Sequence, residues 1–213
     1  MRYLIWQWKI HWFTVYDELI FIFQSNMRLL FCCSSPWELK AVKNSIKSLK
    51  LKQSLDISYL CTWLGSYETL FSLTKFFCEQ QQNVRDLLLV SIGFCLYYSI
   101  DWEKAPNIQI WRIINMLTKK EELPPIPFEF SSIKTIYSSE IIWTELLSEE
   151  EYYIDKESWS IEFVCNKFRI PRIFLKIPYD KIWKETTINK DIGSELLANN
   201  IDYAKLVKQL LNY

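Results

Sequence analysis

The sequence predicts an α+β fold with an N-terminal antiparallel β-meander, a central helical cluster, and a C-terminal β-hairpin followed by a helix. Three observations lead to this prediction. Apolar and polar residues alternate near the N-terminus, helix start signals recur in the middle of the chain, and β-rich runs precede an amphipathic C-terminal segment. A chain of 213 residues is long enough to bury a substantial core around such elements.

The meander is predicted over residues 3–33. Between residues 6 and 12, apolar side chains occupy the even positions and polar side chains the odd positions, which is the period of a strand with one buried face. Two further apolar runs, Leu19–Phe23 and Arg28–Cys33, follow and are separated by polar residues. Three short strands in this order are typical of a meander.

The segment after Cys33 carries helix start signals that agree with one another. Ser35 can act as N-cap, Pro36 as the first helical residue, and Glu38 as the third position of a capping box. We therefore predict a helix over residues 36–50. The spacing of apolar residues predicts further helices over residues 54–64, 67–81, 83–98 and 107–120.

Prolines 124, 125 and 127 interrupt this helical pattern, since proline continues neither a helix nor an internal strand. We therefore divide the chain into residues 1–122, with the sheet and helical core, and residues 123–213, a strand and helix part packed on the same core. In the second part, alternation around 159–165 and the run Phe168–Ile177 predict two strands, with Pro171 favouring an edge position. A final helix is predicted over Ser194–Leu211.

Several classes of enzyme are excluded by residue counts. Phosphate-binding loops need clustered glycines, whereas the three glycines are scattered. The single histidine, His11, lies on the polar face of the first predicted strand, where a surface role is expected. The six cysteines lack the spacing of a zinc site and indicate buried reduced thiols. We therefore predict no catalytic residue, no metal and no cofactor.

The location of the protein is predicted from the absence of targeting signals. No basic segment followed by an uninterrupted apolar stretch occurs at the N-terminus. The longest uncharged run, residues 87–100, is shorter than the roughly 20 residues of a membrane span. We expect a cytoplasmic protein without a membrane span.

Charge is segregated along the chain although the formal net charge is zero. Lysines recur at helical spacing within the predicted helix 36–50, further basic residues follow residue 166, and residues 140–157 are acidic. These segments either complement one another inside the fold or form surfaces for a charged partner. The sequence leaves both possibilities open.

Our leading hypothesis is a non-enzymatic protein-interaction protein, such as an inhibitor, an immunity protein or an accessory subunit. Carboxylates beside aromatic side chains suit docking to a basic protein, so another protein is the expected partner. The predicted acidic face comprises Glu149, Glu150, Glu151, Tyr152, Tyr153 and Asp155.

Two alternatives involve nucleic acid. In the first, the protein is a nucleic-acid-associated subunit of a ribonucleoprotein or defence complex, because clustered lysines bind phosphates. The predicted contacts are Lys40, Lys43, Lys47, Lys50, Arg169 and Arg172. In the second, Asp17, Glu38 and Lys40 form a metal nuclease of the PD-(D/E)xK type. The second is disfavoured, because that chemistry places Glu-x-Lys on a strand and Glu38 is predicted to cap a helix.

Overall fold

The computed structural model describes residues 28–50, 55–80, 84, 86–99, 105–124, 128–140, 151–181 and 189–211. Within these ranges, eight strands belong to one sheet and five helices pack around it. The strands are β1 (Arg28–Cys33), β2 (Ile57–Cys61), β3 (Leu87–Ser99), β4 (Ile108–Asn115), β5 (Glu121–Glu122), β6 (Ser132–Ser138), β7 (Glu151–Asp155) and β8 (Arg172–Lys181). The helices are α1 (Pro36–Lys47), α2 (Ser66–Glu79), α3 (Ser158–Phe168), α4 (Lys190–Asn200) and α5 (Tyr203–Leu211).

The sheet is mixed and partly closed. Its order is β2-β1-β3-β7-β6-β4-β5, and β8 pairs with both β3 and β4. The strands β3, β7, β6, β4 and β8 therefore form a closed ring, from which β1 and β2 extend as an open wing beside the first half of β3. In this wing, β1 runs parallel to both β2 and β3.

Alternate residues of β3 enter two cores on opposite faces of the sheet. Leu88 and Val90 belong to a core that also holds residues of α1, α4 and α5. Leu87 and Leu89 belong to a second core, which holds residues of α2 and α3. Because helices cover both faces, β3 is apolar at nearly every position.

The start of α1 is fixed by the predicted capping box. The Glu38 N–H donates to Ser35 Oγ at 3.4 Å, and the Ser35 N–H donates to Glu38 Oε2 at 2.8 Å. Pro36 occupies the first turn. The prediction of a helix here is confirmed, and α2 confirms the helix predicted over residues 67–81.

The predicted fold class is wrong. The last predicted strand of the meander, β1, pairs in parallel with β2 and β3 instead of forming an antiparallel hairpin. The rest of the meander, before residue 28, lies outside the described residues. Three of the predicted central helices are the strands β2, β3 and β4. A strand buried on both faces has no alternation, so its apolar run resembles that of a buried helix.

The C-terminal part also differs from the prediction. Residues 159–165, predicted as a strand, lie within α3, so there is no hairpin with β8 in the described part of the chain. Pro171 does not mark an edge strand. It precedes β8, and its carbonyl accepts the Leu89 N–H at 2.9 Å. β8 itself pairs with β3 and with β4, so it lies between them. The predicted final helix is divided into α4 and α5 at Ile201 and Asp202.

The predicted division at residue 122 does not coincide with a division of the sheet. Strands from both predicted parts pair with one another, as β3 does with β7 and β8. The division of the chain into residues 1–122 and 123–213 stays a prediction. Within the described residues, no helix is long and apolar enough to span a bilayer.

Candidate functional site

Three strands meet beside Gly93, in the middle of β3. The paired segment of β1 ends next to Ser91, and β7 runs toward the same point from the opposite direction, with Ile154 beside Leu96. On the other side of β3, Lys176 of β8 lies directly beside Gly93. Residues that follow β1 and β7 are thereby brought next to Lys176. Carboxyl ends of strands are where α/β proteins commonly bind ligands.

Lys176 and Asp155 form a buried ion pair at this point. The Lys176 Nζ lies 2.7 Å from Asp155 Oδ2, and only 3% and 1% of the two side chains are exposed. Burial disfavours the charged form of Lys176, but the carboxylates of Asp155 and Glu157 raise its pKa above the ordinary value. The ammonium group therefore stays charged and holds the carboxylates together.

Glu157 is a buried carboxyl with a pKa near neutrality. Its Oε1 accepts the backbone N–H of Gly65 at 3.0 Å. Burial raises the pKa of Glu157 to about 7, and the charges of Asp155 and Glu38 act in the same direction, whereas Lys176 opposes them. A carboxyl group of this kind can both donate and accept a proton near pH 7.

Glu38 completes the group from the first turn of α1. Its Oε2 accepts the Ser34 hydroxyl at 2.7 Å in addition to the Ser35 N–H. Burial raises the pKa of Glu38, although these hydrogen bonds and Lys176 oppose the shift. We refer to Glu38, Asp155, Glu157 and Lys176 as the charge cluster.

Gly93 lies next to two members of the charge cluster. A Cβ at this position would lie 3.6 Å from Lys176 Nζ and 4.0 Å from Glu38 Oε1. The ammonium group and the Glu38 carboxylate therefore face the same small region of β3. A longer side chain at residue 93 would occupy that region.

Carboxylates of the protein already occupy the three helix N-termini around the cluster. Glu38 binds at the start of α1, and Asp155 accepts the Ser158 N–H at the start of α3 with an Oδ2 distance of 3.2 Å. At the start of α2, the Ser66 N–H donates to Glu140. Helix N-termini attract anions, so these contacts fill positions that an external phosphate would otherwise use.

Comparison with solved structures identifies the fold. A 5′-methylthioadenosine nucleosidase of Arabidopsis thaliana superposes with a TM-score of 0.67 at 10% identity, covering 89% of this chain and 98% of that one. A 5′-methylthioadenosine/S-adenosylhomocysteine nucleosidase of Helicobacter pylori gives 0.63 at 14% identity, covering 89% and 99%. The futalosine hydrolase of Helicobacter pylori gives 0.61 at 16% identity, covering 87% and 97%. The chain has the nucleosidase fold. No protein family model and no curated protein sequence matches it.

These neighbours contradict our prediction of a non-enzymatic inhibitor, immunity protein or accessory subunit. The three neighbours named above, which share this fold over nearly their full lengths, are two nucleosidases and one hydrolase by name. The two nucleic-acid alternatives of that prediction find no support among them either. The prediction rested on the lack of a suitable histidine and of glycine-rich loops, whereas the charged groups brought together in this structure are carboxylates and one lysine.

The residues of the predicted acidic face have dissimilar surroundings. Glu149 and Glu150 lie outside the described residues, and Tyr152, Tyr153 and Asp155 are buried. Glu151 is half-buried, with one carboxylate oxygen 2.5 Å from Lys134 Nζ and the other 2.5 Å from the Tyr153 hydroxyl. The described part of the acidic segment therefore makes contacts inside the protein itself. Its role in binding a partner stays a prediction.

The residues of the predicted basic surface also fall into two groups. The four lysines at helical spacing and Arg169 are exposed, whereas Arg172 donates to the buried Glu162 carboxylate with an Nε–Oε2 distance of 2.8 Å. The lysines are Lys40, Lys43, Lys47 and Lys50. Their contact with nucleic acid stays a prediction.

The predicted nuclease triad cannot be assembled from the described residues. Of its three residues, Asp17 lies outside them, Glu38 is held in the capping box and Lys40 is exposed. His11, for which a surface role was expected, also lies outside the described residues. Within the part of the chain that the structure describes, no group of three potential ligands is placed to hold a metal ion.

Sequence reasoning did not single out Glu157 and Lys176. Both were assigned to charged segments, for which pairing inside the fold and a surface for a partner were both left open. One signal could have singled out Lys176, because it interrupts the apolar run from Ile173 to Ile177, where a strand is buried on both faces. A charge in such a run is paired or functional.

Stability should depend on pH through Glu157. Its pKa is about 7 in the folded protein, against an ordinary value of 4.5, so the folded state binds more protons between these values. The free energy of unfolding therefore falls as pH rises through this window, by an amount on the order of 2–3 kcal/mol. Glu38 acts in the same direction.

Urea unfolding from about pH 4 to about pH 8 measures this dependence. The variant Glu157→Gln cannot lose a proton here, so its stability should decline less over the same range. If the free energy of unfolding changed equally with pH in the variant and the wild type, Glu157 would have an ordinary pKa.

Proposed function

We propose that the protein is a hydrolase that cleaves the N-glycosidic bond of a nucleoside. The observation that carries this proposal is the charge cluster, which brings Glu38, Asp155 and Glu157 around Lys176 in a chain with the nucleosidase fold. A shared fold does not determine which reaction a protein catalyses, so the proposal depends on the charge cluster.

The chemistry of glycosidic cleavage suits buried carboxylates. When the bond between the anomeric carbon and the base breaks, the bonding electrons leave with the base and the sugar becomes cationic, like an oxocarbenium ion. Fixed negative charges in a water-poor site stabilise such a cation strongly. Glu38, whose carboxylate is held by two hydrogen-bond donors, is suited to this role.

Glu157 is suited to the proton transfers. Water adds to the anomeric carbon and loses a proton, while the departing base gains one, so a group that titrates near neutrality is required. The pKa of Glu157, raised to about 7 by burial, meets this requirement. We assign Glu157 as the acid–base group and Lys176 as the residue that positions the carboxylates.

Water is a better nucleophile than phosphate for this site. The cluster contains three carboxyl groups and one ammonium group, and the surrounding helix N-termini are bound to carboxylates of the chain itself. A phosphate ion would meet like charges at each of these points. The reaction is therefore hydrolysis and not phosphorolysis.

The named neighbours suggest which nucleosides to test. They are enzymes of 5′-methylthioadenosine, S-adenosylhomocysteine and futalosine. The purified protein is expected to release the free base from one of these, at the same rate with and without added phosphate. Chromatography of base and sugar products measures the reaction. Release of a sugar phosphate would contradict hydrolysis, and no release from any of the three would contradict the proposal.

The cysteines support the proposed cytoplasmic location. All six lie among the described residues, and none forms a disulfide. Burial raises the pKa of Cys32 to about 12, which keeps that thiol protonated and unreactive. Thiols of this kind suit a reducing compartment.

A further inference from the structure

A cleft of about 240 Å³ opens on the ring of strands, away from the charge cluster. Its walls come from β4, β6 and β7, and they consist of Trp111, Ile133, Lys134, Thr135, Glu151 and Tyr153. Glu151 begins β7 and Asp155 ends it, so the two residues are about 13 Å apart along the strand. The cleft is therefore a second concave site, at the opposite end of β7 from the charge cluster.

Trp111 lines the cleft at an irregularity in β4. The pairing of β4 with β6 shifts between Ile110 and Arg112, which leaves Trp111 without a paired residue in β6. A bulge of this kind changes the direction of a side chain and is common beside functional sites. Trp111 is 40% exposed although its indole is large and apolar, so packing in a core does not explain its position.

The polar wall of the cleft is an ion pair with remaining hydrogen-bonding capacity. The Lys134 Nζ lies 2.5 Å from one carboxylate oxygen of Glu151, and the Tyr153 hydroxyl donates to the other oxygen at 2.5 Å. The side chains of Lys134 and Glu151 are 30% and 36% exposed. An ammonium group has three donors and a carboxylate has about four acceptor positions, so both groups can bind a further partner without separating.

The two charges of this wall compensate each other. Burial raises the pKa of Glu151, but the hydrogen bonds from Lys134 and Tyr153 outweigh burial and hold that pKa below the ordinary value. Glu151 is therefore ionised near neutral pH, and Lys134 balances its charge. An anion in the cleft would meet Glu151 and a cation would meet Lys134. A neutral hydroxyl group can instead accept from the ammonium and donate to the carboxylate.

We propose that this cleft binds a neutral sugar through one pyranose ring. The hydroxyl groups at the rim of the ring bind Lys134 and Glu151, and the face of the ring that carries C–H groups lies on the Trp111 indole, whose faces are electron-rich. A cavity of about 240 Å³ suits a single ring, since drug-sized molecules occupy about 300–1,000 Å³. The site is separate from the proposed nucleoside hydrolysis and does not depend on it.

Calorimetric titration with the methyl glycosides of D-glucose, D-galactose and D-mannose tests this proposal. At least one of the three should bind. Glu151→Gln and Lys134→Met should each weaken that binding by about 10-fold or more, because each removes a charged hydrogen-bonding group. Trp111→Ala should weaken it by about 2- to 10-fold, and Trp111→Phe, which keeps an aromatic face, should retain most of the affinity.

Matched controls exist for both the variants and the ligands. Phe71→Ala and Glu79→Gln remove an exposed aromatic ring and one partner of an exposed ion pair on α2, outside the cleft, so both should bind the sugar like the wild type. D-glucitol has similar hydroxyl groups but no ring and should bind more weakly. Lactose separates two sources of the ring, because tighter binding of lactose than of the methyl glycosides indicates the terminal unit of a longer glycan.

Three results would overturn the proposal. The first is that none of the three glycosides binds. The second is that Glu151→Gln and Lys134→Met bind the sugar like Phe71→Ala and Glu79→Gln, because the sugar would then lie elsewhere on the protein. The third is that D-glucitol, acetate or methylammonium binds as tightly as the glycosides, because the cleft would then select neither a ring nor a neutral ligand. Circular dichroism shows whether each variant is folded.

Discussion

Replacing Glu157 with glutamine is expected to lower kcat/KM for nucleoside hydrolysis by about 10²- to 10⁴-fold, the usual contribution of an acid–base group. Glutamine keeps the size of the side chain and a carbonyl oxygen that can accept the Gly65 N–H, now bound at 3.0 Å. It cannot exchange a proton. The loss should therefore appear mainly in kcat, and the variant should remain folded.

The pH profile gives this prediction a second readout. In the wild type, the pKa of about 7 for Glu157 should produce a bend in the dependence of rate on pH near that value. The variant should lack that bend in its residual activity. A reduced rate with an unchanged profile would mean that Glu157 only positions other groups.

Glu79→Gln provides a matched control for this substitution. Glu79 is an exposed residue at the end of α2, and its Oε1 lies 3.9 Å from the Lys75 ammonium. An exposed pair of this kind contributes little to stability or structure. The control should have wild-type kinetics, so a comparable loss in Glu79→Gln would contradict the assignment of Glu157.

The variant Lys176→Met should lose about 3–5 kcal/mol in the free energy of unfolding, because it leaves buried carboxylates without their cation. Methionine fits the aliphatic volume of lysine. Asp155, whose Oδ2 lies 2.7 Å from the ammonium, would lose this partner, and Glu157 would lose a charge that opposes the rise in its pKa. Urea unfolding at neutral pH measures the loss.

Lys134→Met and a double variant test the cause of that loss. Lys134 lies 2.5 Å from Glu151 but 30% of its side chain is exposed, so its removal should cost about 1 kcal/mol or less. Adding Asp155→Asn to Lys176→Met removes one of the unpaired charges and should recover part of the stability. If Lys134→Met and Lys176→Met were equally destabilised, burial of the pair would not be the cause.

Local signals predicted the helices with distinct starts but not the strands between them. α1 follows from Ser35, Pro36 and Glu38, which act within one turn. Whether the β3 segment forms a strand or a helix depends on its pairing with β1, β7 and β8, which are distant in sequence. An apolar run of this length suits both a buried helix and a buried strand, so its neighbours decide between them.

The site was beyond sequence reasoning for a related reason. Glu38, Glu157 and Lys176 follow or lie within different strands, and they become neighbours only because β1, β7 and β8 all meet β3 near Gly93. The acidic and basic segments were recognised as segregated, and one buried pair between them, Asp155 with Lys176, does form. Strand register determines which residues of the two segments pair, and local sequence does not determine the register.

The closed ring of strands has a consequence for synthesis of the protein. β8 joins β3 to β4, and it is the last strand of the described chain to leave the ribosome. Until residues 172–181 emerge, β3 and β4 lack the strand between them, and Asp155 and Glu157 lack the ammonium group of Lys176. The event that closes the ring therefore also neutralises the buried acids. The ring of strands and the charge cluster are thus completed in the same step, before α4 and α5 follow and pack on the first core.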